Sequence, residues 1–273
     1  MTRMLLFGPG FTGSRIAEAV ARLGWQVETI GRQTFEDEHL VADRIASASH
    51  ILSTVPPAGD SDPILARHAE SLSAFRGWTG YLSSTGVYGD TGGAWVDESA
   101  PIGRGRRSAR TTADQAWLDL GARVFRLPGI YGPGRSPLDR LVVGEAYRVA
   151  RAGQVFSRIH VDDIVQAVIC AFDAPSGAYN IADDLPAPQS EVTGYAAGLL
   201  GLPLPPLVEV KALSPAARAF YSENRRVANG KARRVLGWEP RYPTYREGLR
   251  SLSAMINPPI ASALPIAAVG DHR

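Results

Sequence analysis

Three glycines near the start of the chain, Gly8, Gly10 and Gly13, stand in a G-x-G-x-x-G spacing directly after the apolar run Met4-Leu5-Leu6-Phe7. Glycines at this spacing bring backbone up against phosphate. The first permits a tight turn, the second lets the backbone reach a pyrophosphate, and the third lets a helix and a strand pack closely. A helix that begins there offers unpaired N–H groups and a partial positive charge to the same anion. Gly8, Gly10, Phe11, Thr12 and Gly13 are therefore the candidate dinucleotide-binding residues. The plain alternative is a glycine turn in some other α/β protein.

Further positions add to this chemistry. A dinucleotide fold that takes NAD places an acid at the end of its second strand, to bind the ribose 2′-OH. Here that end reads Ile30-Gly31-Arg32-Gln33, with an arginine and no acid. Arg32 is suited to a 2′-phosphate, so NADP(H) is the expected cofactor and NAD(H) the runner-up. Thr54, Val55 and Pro56, at the end of the next strand, are expected over the adenine side or the pyrophosphate. Arg104, Arg106, Arg107 and Arg110 crowd one segment; this reads as an anion pocket facing the substrate or as a solvated loop. Arg106, Arg110 and Arg135 are the candidate contacts to an anionic substrate. His160 and Asp162 suggest an acid/base or metal pair, but no second His or Cys lies nearby, and no metal is expected.

The elements that must position these residues alternate. Met4–Phe7 reads as a strand, Ser14–Leu23 as a helix with apolar residues at helical spacing, and Val27–Ile30 as a second strand. A polar stretch, Gln33–His39, follows. His50–Val55 and Gly80–Ser84 read as strands, with a helix between them over Pro63–Arg76. A helix over Thr111–Leu120 and a strand over Ala122–Leu127 come next. This rhythm predicts a doubly wound parallel sheet, with ligands bound along one carboxyl edge. The expected organisation is a Rossmann domain over 1–130, then a small substrate lobe over 131–256 with some elements returning to the sheet. Pro- and Ala-rich residues 257–273 are expected to be a mobile tail. In the lobe, Asp162-Asp163 can cap a helix over Ile164–Phe172. Gly177–Ile181 reads as a strand, and Pro188–Leu200 and Gly230–Leu236 as helices, the last ended by Gly237.

Composition sets outer bounds. The chain has 273 residues, 45% hydrophobic and 21% charged, with a net charge of +2. No basic block points to nucleic acid. Cys170 is the single cysteine, so no disulfide framework exists, and its apolar surroundings read as a buried helix position. No stretch approaches the roughly 20 apolar residues that span a bilayer. With the first strand starting at once and no signal segment visible, the expected location is the cytoplasm.

Several motifs occur in order: Gly8–Gly13; Ser84-Thr85-Gly86-Val87-Tyr88-Gly89; Arg126-Leu127-Pro128-Gly129-Ile130-Tyr131-Gly132; Ile159-His160-Val161-Asp162-Asp163; Tyr179-Asn180-Ile181-Ala182; and Leu236-Gly237-Trp238-Glu239-Pro240. Together they resemble the extended short-chain dehydrogenase/reductase superfamily, its NAD-dependent epimerase/dehydratase group, over roughly residues 3 to 252. The resemblance implies an NAD(P)-binding Rossmann fold. It implies that Ser84, or its neighbour Thr85, hydrogen-bonds a substrate hydroxyl or carbonyl. Leu127, Pro128 and Tyr131 would flank the cofactor. The helix pair Pro63–Arg76 and Thr111–Leu120 could form the face of a homodimer.

In that group a tyrosine acts as general acid/base, and a lysine four residues later lowers its pKa. Neither is present here. Counting back from Asp114 puts Arg106 at the tyrosine position and Arg110 at the lysine position. The only lysines, Lys211 and Lys231, have no tyrosine four residues before them. An arginine stays protonated at neutral pH and cannot exchange a proton. The proton donor is then Tyr88, water or the substrate itself, and the plain reading of Tyr88 is packing. The chain resembles the atypical branch of the group.

These readings lead to an NAD(P)-dependent oxidoreductase or epimerase-like enzyme acting on a small carbonyl or hydroxyl substrate, sugar-derived or anionic. The rival is a non-catalytic NADP(H)-binding sensor. A fully competent sugar epimerase suffers most from the missing tyrosine.

Overall fold

The computed structural model describes residues 2–103, 105 and 108–256. Arg104, Arg106, Arg107 and the tail over 257–273 lie outside the described residues. The first half runs β1 (Arg3–Phe7), α1 (Phe11–Arg22), β2 (Gln26–Ile30), α2 (Glu38–Ser47), β3 (His50–Ser53), α3 (Pro63–Ala74), β4 (Trp78–Ser84), β5 (Trp95–Val96), α4 (Ser108–Asp119) and β6 (Arg123–Leu127). The second half runs β7 (Gly129–Tyr131), α5 (Pro137–Val142), β8 (Arg148–Ala150), β9 (Arg158–His160), α6 (Val161–Cys170) and β10 (Gly177–Asn180). It ends with α7 (Gln189–Leu199), β11 (Leu207–Glu209), α8 (Pro215–Phe220), β12 (Arg226–Val227), α9 (Gly230–Leu236) and α10 (Tyr245–Ile256).

Six strands form one parallel sheet in the order β10-β6-β4-β3-β1-β2. The doubly wound parallel sheet is thus present, and β10, from the second half of the chain, forms its edge beside β6. Its two faces explain the apolar runs. Met4 and Leu6 of β1 pack with Ile16 and Val20 of α1 and with Ile164 and Val168 of α6. Leu5 and Phe7 point the other way, onto Val41 of α2, Ile64 of α3 and Trp117 of α4. Successive side chains of a strand face opposite layers, so a strand covered on both sides must be apolar throughout. The buried indoles are satisfied: Trp78 donates to the Ala171 carbonyl at 2.8 Å, Trp117 to Asp62 at 3.0 Å and Trp238 to the Asp163 carbonyl at 3.0 Å.

Two helices are added to the expected elements and two local expectations are corrected. The polar stretch runs into a helix, α2, from Glu38; Asp37 caps it, accepting from the Leu40 N–H at 3.0 Å. A final helix, α10, packs Tyr245, Leu249 and Leu252 against α5 and α7. The cap of α6 is His160, whose ring accepts from the Asp162 N–H; Asp163 is instead buried, holding the N–H groups of Arg241 and Tyr242 at 2.6 and 3.2 Å. Cys170 sits on α6 but is exposed.

Candidate functional site

The strand order reverses between β1 and β3, and open α/β sheets bind ligands at the carboxyl ends flanking such a point. The glycine loop leaves β1 there. Gly8 has a positive φ of 81°, and a Cβ on it would lie 2.8 Å from a Val55 methyl. A Cβ on Gly13 would lie 2.6 Å from the Gly8 carbonyl, because α1 is packed against the loop. Thr54, just past β3, closes the turn by donating to that same carbonyl at 2.5 Å. Gly10 is different. It caps α1 without a side-chain hydrogen bond, its φ is −87°, and a Cβ there would meet nothing within 4 Å. Gly8 and Gly13 are thus required by the fold, whereas Gly10 leaves open space at a helix N-terminus.

Phe11 begins α1, with the Arg15 guanidinium 4.4 Å and the Arg135 guanidinium 5.4 Å from its ring centre. Thr12 is buried; Arg32 and Pro56 are exposed around the loop. Among the described residues no group of three or more His, Cys, Asp or Glu could hold a metal ion.

Beyond the glycine loop a cleft of about 860 Å³ opens between the sheet edge and the lobe. Ser84, Thr85, Arg110, Pro128, Tyr131 and Arg135 all line it. Ser84 ends β4, and its hydroxyl accepts from the Gly86 N–H at 3.1 Å. The segment before α4 lies against this turn: Gly103 N–H donates to the Val87 carbonyl at 2.9 Å, and a Cβ on Gly105 would collide with the Gly86 carbonyl. Arg110, in the first turn of α4, lines the same cleft as Ser84. Arg106 lies outside the described residues.

Two residues, Tyr88 and Leu127, stand away from the cleft. Tyr88 is 1% exposed; its hydroxyl donates to Asn180 at 2.7 Å and accepts from Arg126 at 3.0 Å. Both capacities of the phenol are used in the core, burial raises its pKa, and it does not line the cleft. Tyr88 is therefore a packing residue. Leu127 belongs to the sheet core rather than the cleft. Tyr131 reaches the cleft with its ring, but its hydroxyl abuts α10 at Gly248, and burial pushes its pKa up.

The cleft also contains residues that spacing did not mark: Arg140, Tyr147, Phe156, Arg158, Tyr221 and the Glu223–Arg225 ion pair at 2.9 Å. They come from four short segments between residues 140 and 225. His160 lies beneath, 1% exposed, with its pKa lowered to about 4 by burial. Asp183, also 1% exposed, has its carboxyl pushed up to about 8 by burial, against the pull of Arg158.

No protein-family model matches the chain. A solved conserved protein of unknown function from Silicibacter pomeroyi is 40% identical, covering 93% of this chain and 99% of that one at a TM-score of 0.85. The UDP-glucose 4-epimerase of Thermotoga maritima, solved with UDP-glucose, is 17% identical over 94% of this chain and 99% of that one, at a TM-score of 0.75. A human epimerase family protein solved with NADPH is 16% identical over 92% of this chain and 99% of that one, at a TM-score of 0.73. At these lower identities the likeness is one of fold. Among curated relatives, a 3-diazoavenalumate denitrifying reductase from a Streptomyces species is 33% identical over 143 residues, 48% of this chain. The chain matches about half of that relative's length, 47%. Protein YeeZ of Escherichia coli is 25% identical over an alignment of 280 residues, 89% of this chain and 97% of that protein.

Proposed function

The chain belongs to one family with the Silicibacter pomeroyi protein and has the fold of the NAD-dependent epimerase/dehydratase group of extended short-chain dehydrogenases/reductases, and we propose that it is an NADP(H)-dependent reductase working without the tyrosine–lysine pair. The observation that carries this reading is Gly10. The fold has no use for its missing side chain, whereas a pyrophosphate approaching the N-terminus of α1 does.

The residues present fit the dinucleotide. Gly8, Gly10, Phe11, Thr12 and Gly13 would hold the pyrophosphate. Thr54, Val55 and Pro56 would flank the adenine side, and Arg32 would pair with a 2′-phosphate. Pro128 and the Tyr131 ring would border the nicotinamide end. When bound in reduced form, the cofactor supplies a hydride. Ser84 and Thr85 hold a polar atom of the substrate, and Arg110 holds positive charge where the lysine would stand.

The family resemblance puts Arg106 at the tyrosine position, and Tyr88 is committed to the core. The favoured substrate is therefore one whose reduction needs no proton from the protein. The Streptomyces relative is named for removing nitrogen from a diazo compound. Replacing a diazonium group by hydrogen has that property. A hydride from bound cofactor would form the C–H bond as the C–N bond breaks, with dinitrogen leaving on the C–N electron pair.

The test mixes the purified protein with NADPH and 4-carboxybenzenediazonium, following dihydronicotinamide absorbance and dinitrogen release. Protein-dependent oxidation with equimolar dinitrogen is expected, slowed about tenfold or more in Ser84→Ala, the equivalent of ~1.4 kcal/mol. Tight NADPH binding without protein-dependent oxidation of this compound would replace the reductase by the sensor reading.

A further inference from the structure

The lobe side of the cleft carries a second set of groups with a common chemistry. Arg140 comes from α5, Tyr147 precedes β8, Phe156 and Arg158 flank the start of β9, and Tyr221 follows α8. Arg158 is fixed: its Nη1 donates to the carbonyls of Phe156 at 2.7 Å and Ala187 at 2.9 Å. Tyr221 stands edge-on to Phe156, ring centres 5.3 Å apart at 90°. Burial and the Tyr147 phenol push the Tyr221 hydroxyl up to about 12, while Arg158 and Arg140 pull it down. These groups therefore share one electrostatic environment, and Tyr221 keeps its proton at neutral pH.

On this wall Arg225 is paired with Glu223 at 2.9 Å, whereas among the described residues neither Arg140 nor Arg158 forms an ion pair with a carboxylate. Asp139, next to Arg140, is turned back to the Ser136 N–H and hydroxyl, both at 2.6 Å. Asp183 acts on Arg158 without an ion pair between them, and burial raises the Asp183 pKa. Two guanidinium groups and the phenols of Tyr147 and Tyr221 thus line a cleft that also carries the Phe156 ring. Guanidinium pairs planar carboxylates in a bidentate manner, and the rings offer edge and face contacts to an arene. The Gln189 amide, also in the cleft, is committed to the Tyr147 carbonyl at 2.7 Å, Thr193 at 3.0 Å and the Val149 N–H at 2.9 Å. It is not available to read a nucleotide base.

We propose that this wall anchors an arene carboxylate, its carboxylate on Arg158 and Arg140 and within reach of Tyr221, its ring against Phe156. Resting on the reductase reading, the inference names the substrate class of that site: an aromatic acid held by its carboxylate, with the reducible end toward Ser84.

The experiment measures binding of naphthalene-2-carboxylate and naphthalene-2-carboxamide to the full chain without cofactor, and of NADPH separately. The acid is expected to bind about tenfold or more tighter than the amide, the scale of a charge-assisted hydrogen bond. Arg140→Gln, on an exposed helix position, is expected to remove most of that preference, and Tyr221→Phe part of it, with NADPH affinity unchanged in both. Equal affinity for acid and amide would overturn the proposal, as would an unaltered preference in Arg140→Gln or tighter binding of UDP-glucose than of the acid. Binding of the acid without binding of NADPH would support the wall while removing the reductase reading.

Discussion

The Arg126 guanidinium holds the Asp114 carboxylate in a fork inside the core, Nη2 to Oδ1 at 2.7 Å and Nε to Oδ2 at 3.1 Å. Ser83 donates to the same carboxylate at 2.5 Å, and Arg126 also reaches Tyr88. One buried charge pair thus ties α4, β6 and β4 together directly beneath Ser84. Its partners are 3% and 0% exposed.

Removing one partner of a buried pair leaves the other charge without compensation, at a cost of about 3–5 kcal/mol. Asp114→Ala is expected to lose stability on that scale in urea unfolding. The apolar double variant Asp114→Leu with Arg126→Met is expected to recover part of it. A loss under about 1 kcal/mol in Asp114→Ala, the range of exposed pairs, would contradict the account.

Two of the three loop glycines, Gly10 and Gly13, are predicted to separate by experiment. Gly13→Ala forces a Cβ against the Gly8 carbonyl and is expected to lower the melting temperature. Gly10→Ala meets open space and is expected to leave the melting temperature nearly unchanged while weakening NADPH by about tenfold or more, the equivalent of ~1.4 kcal/mol. Full NADPH affinity in Gly10→Ala would leave that glycine without a role.

Much of this architecture was legible before the structure. The strand, glycine loop and helix over residues 3–22 announce themselves locally, as do the Asp62-Pro63 start of α3 and the Gly237 stop of α9, whose φ is 61°. Helix α10 carries a local signal as well: Tyr245, Leu249 and Leu252 at helical spacing, behind the Thr244 N–H that donates to Glu247. The lobe side of the cleft was not legible. Arg140, Tyr147, Arg158 and Tyr221 stand on separate short elements, and no period in the chain relates them; only the folded path does. Tyr88 shows the converse. Its motif placed it near Ser84 in sequence, but the 3-10 turn over Thr85–Tyr88 directs it into the core.

Stability is predicted to depend on His160 at mildly acid pH. Its folded pKa, near 4, lies below the ordinary value of 6.5 because burial opposes the charged ring. Between those values the unfolded chain binds more protons than the folded one, so this contribution is present above pH 6.5 and is lost as pH falls toward 4. The loss is up to roughly 3 kcal/mol. His160→Asn retains a capping acceptor and is expected to flatten the curve relative to the parent chain. Parallel curves for the two proteins between pH 4 and 6.5 would contradict it.

The most direct test of the account is titration of the purified protein with NADPH and NADH, following nicotinamide fluorescence, alongside Arg32→Ala. Micromolar NADPH binding, weaker NADH binding, and loss of that preference in Arg32→Ala are predicted. Binding of neither nucleotide would contradict the central claim, leaving the glycine loop to another ligand or to the fold alone.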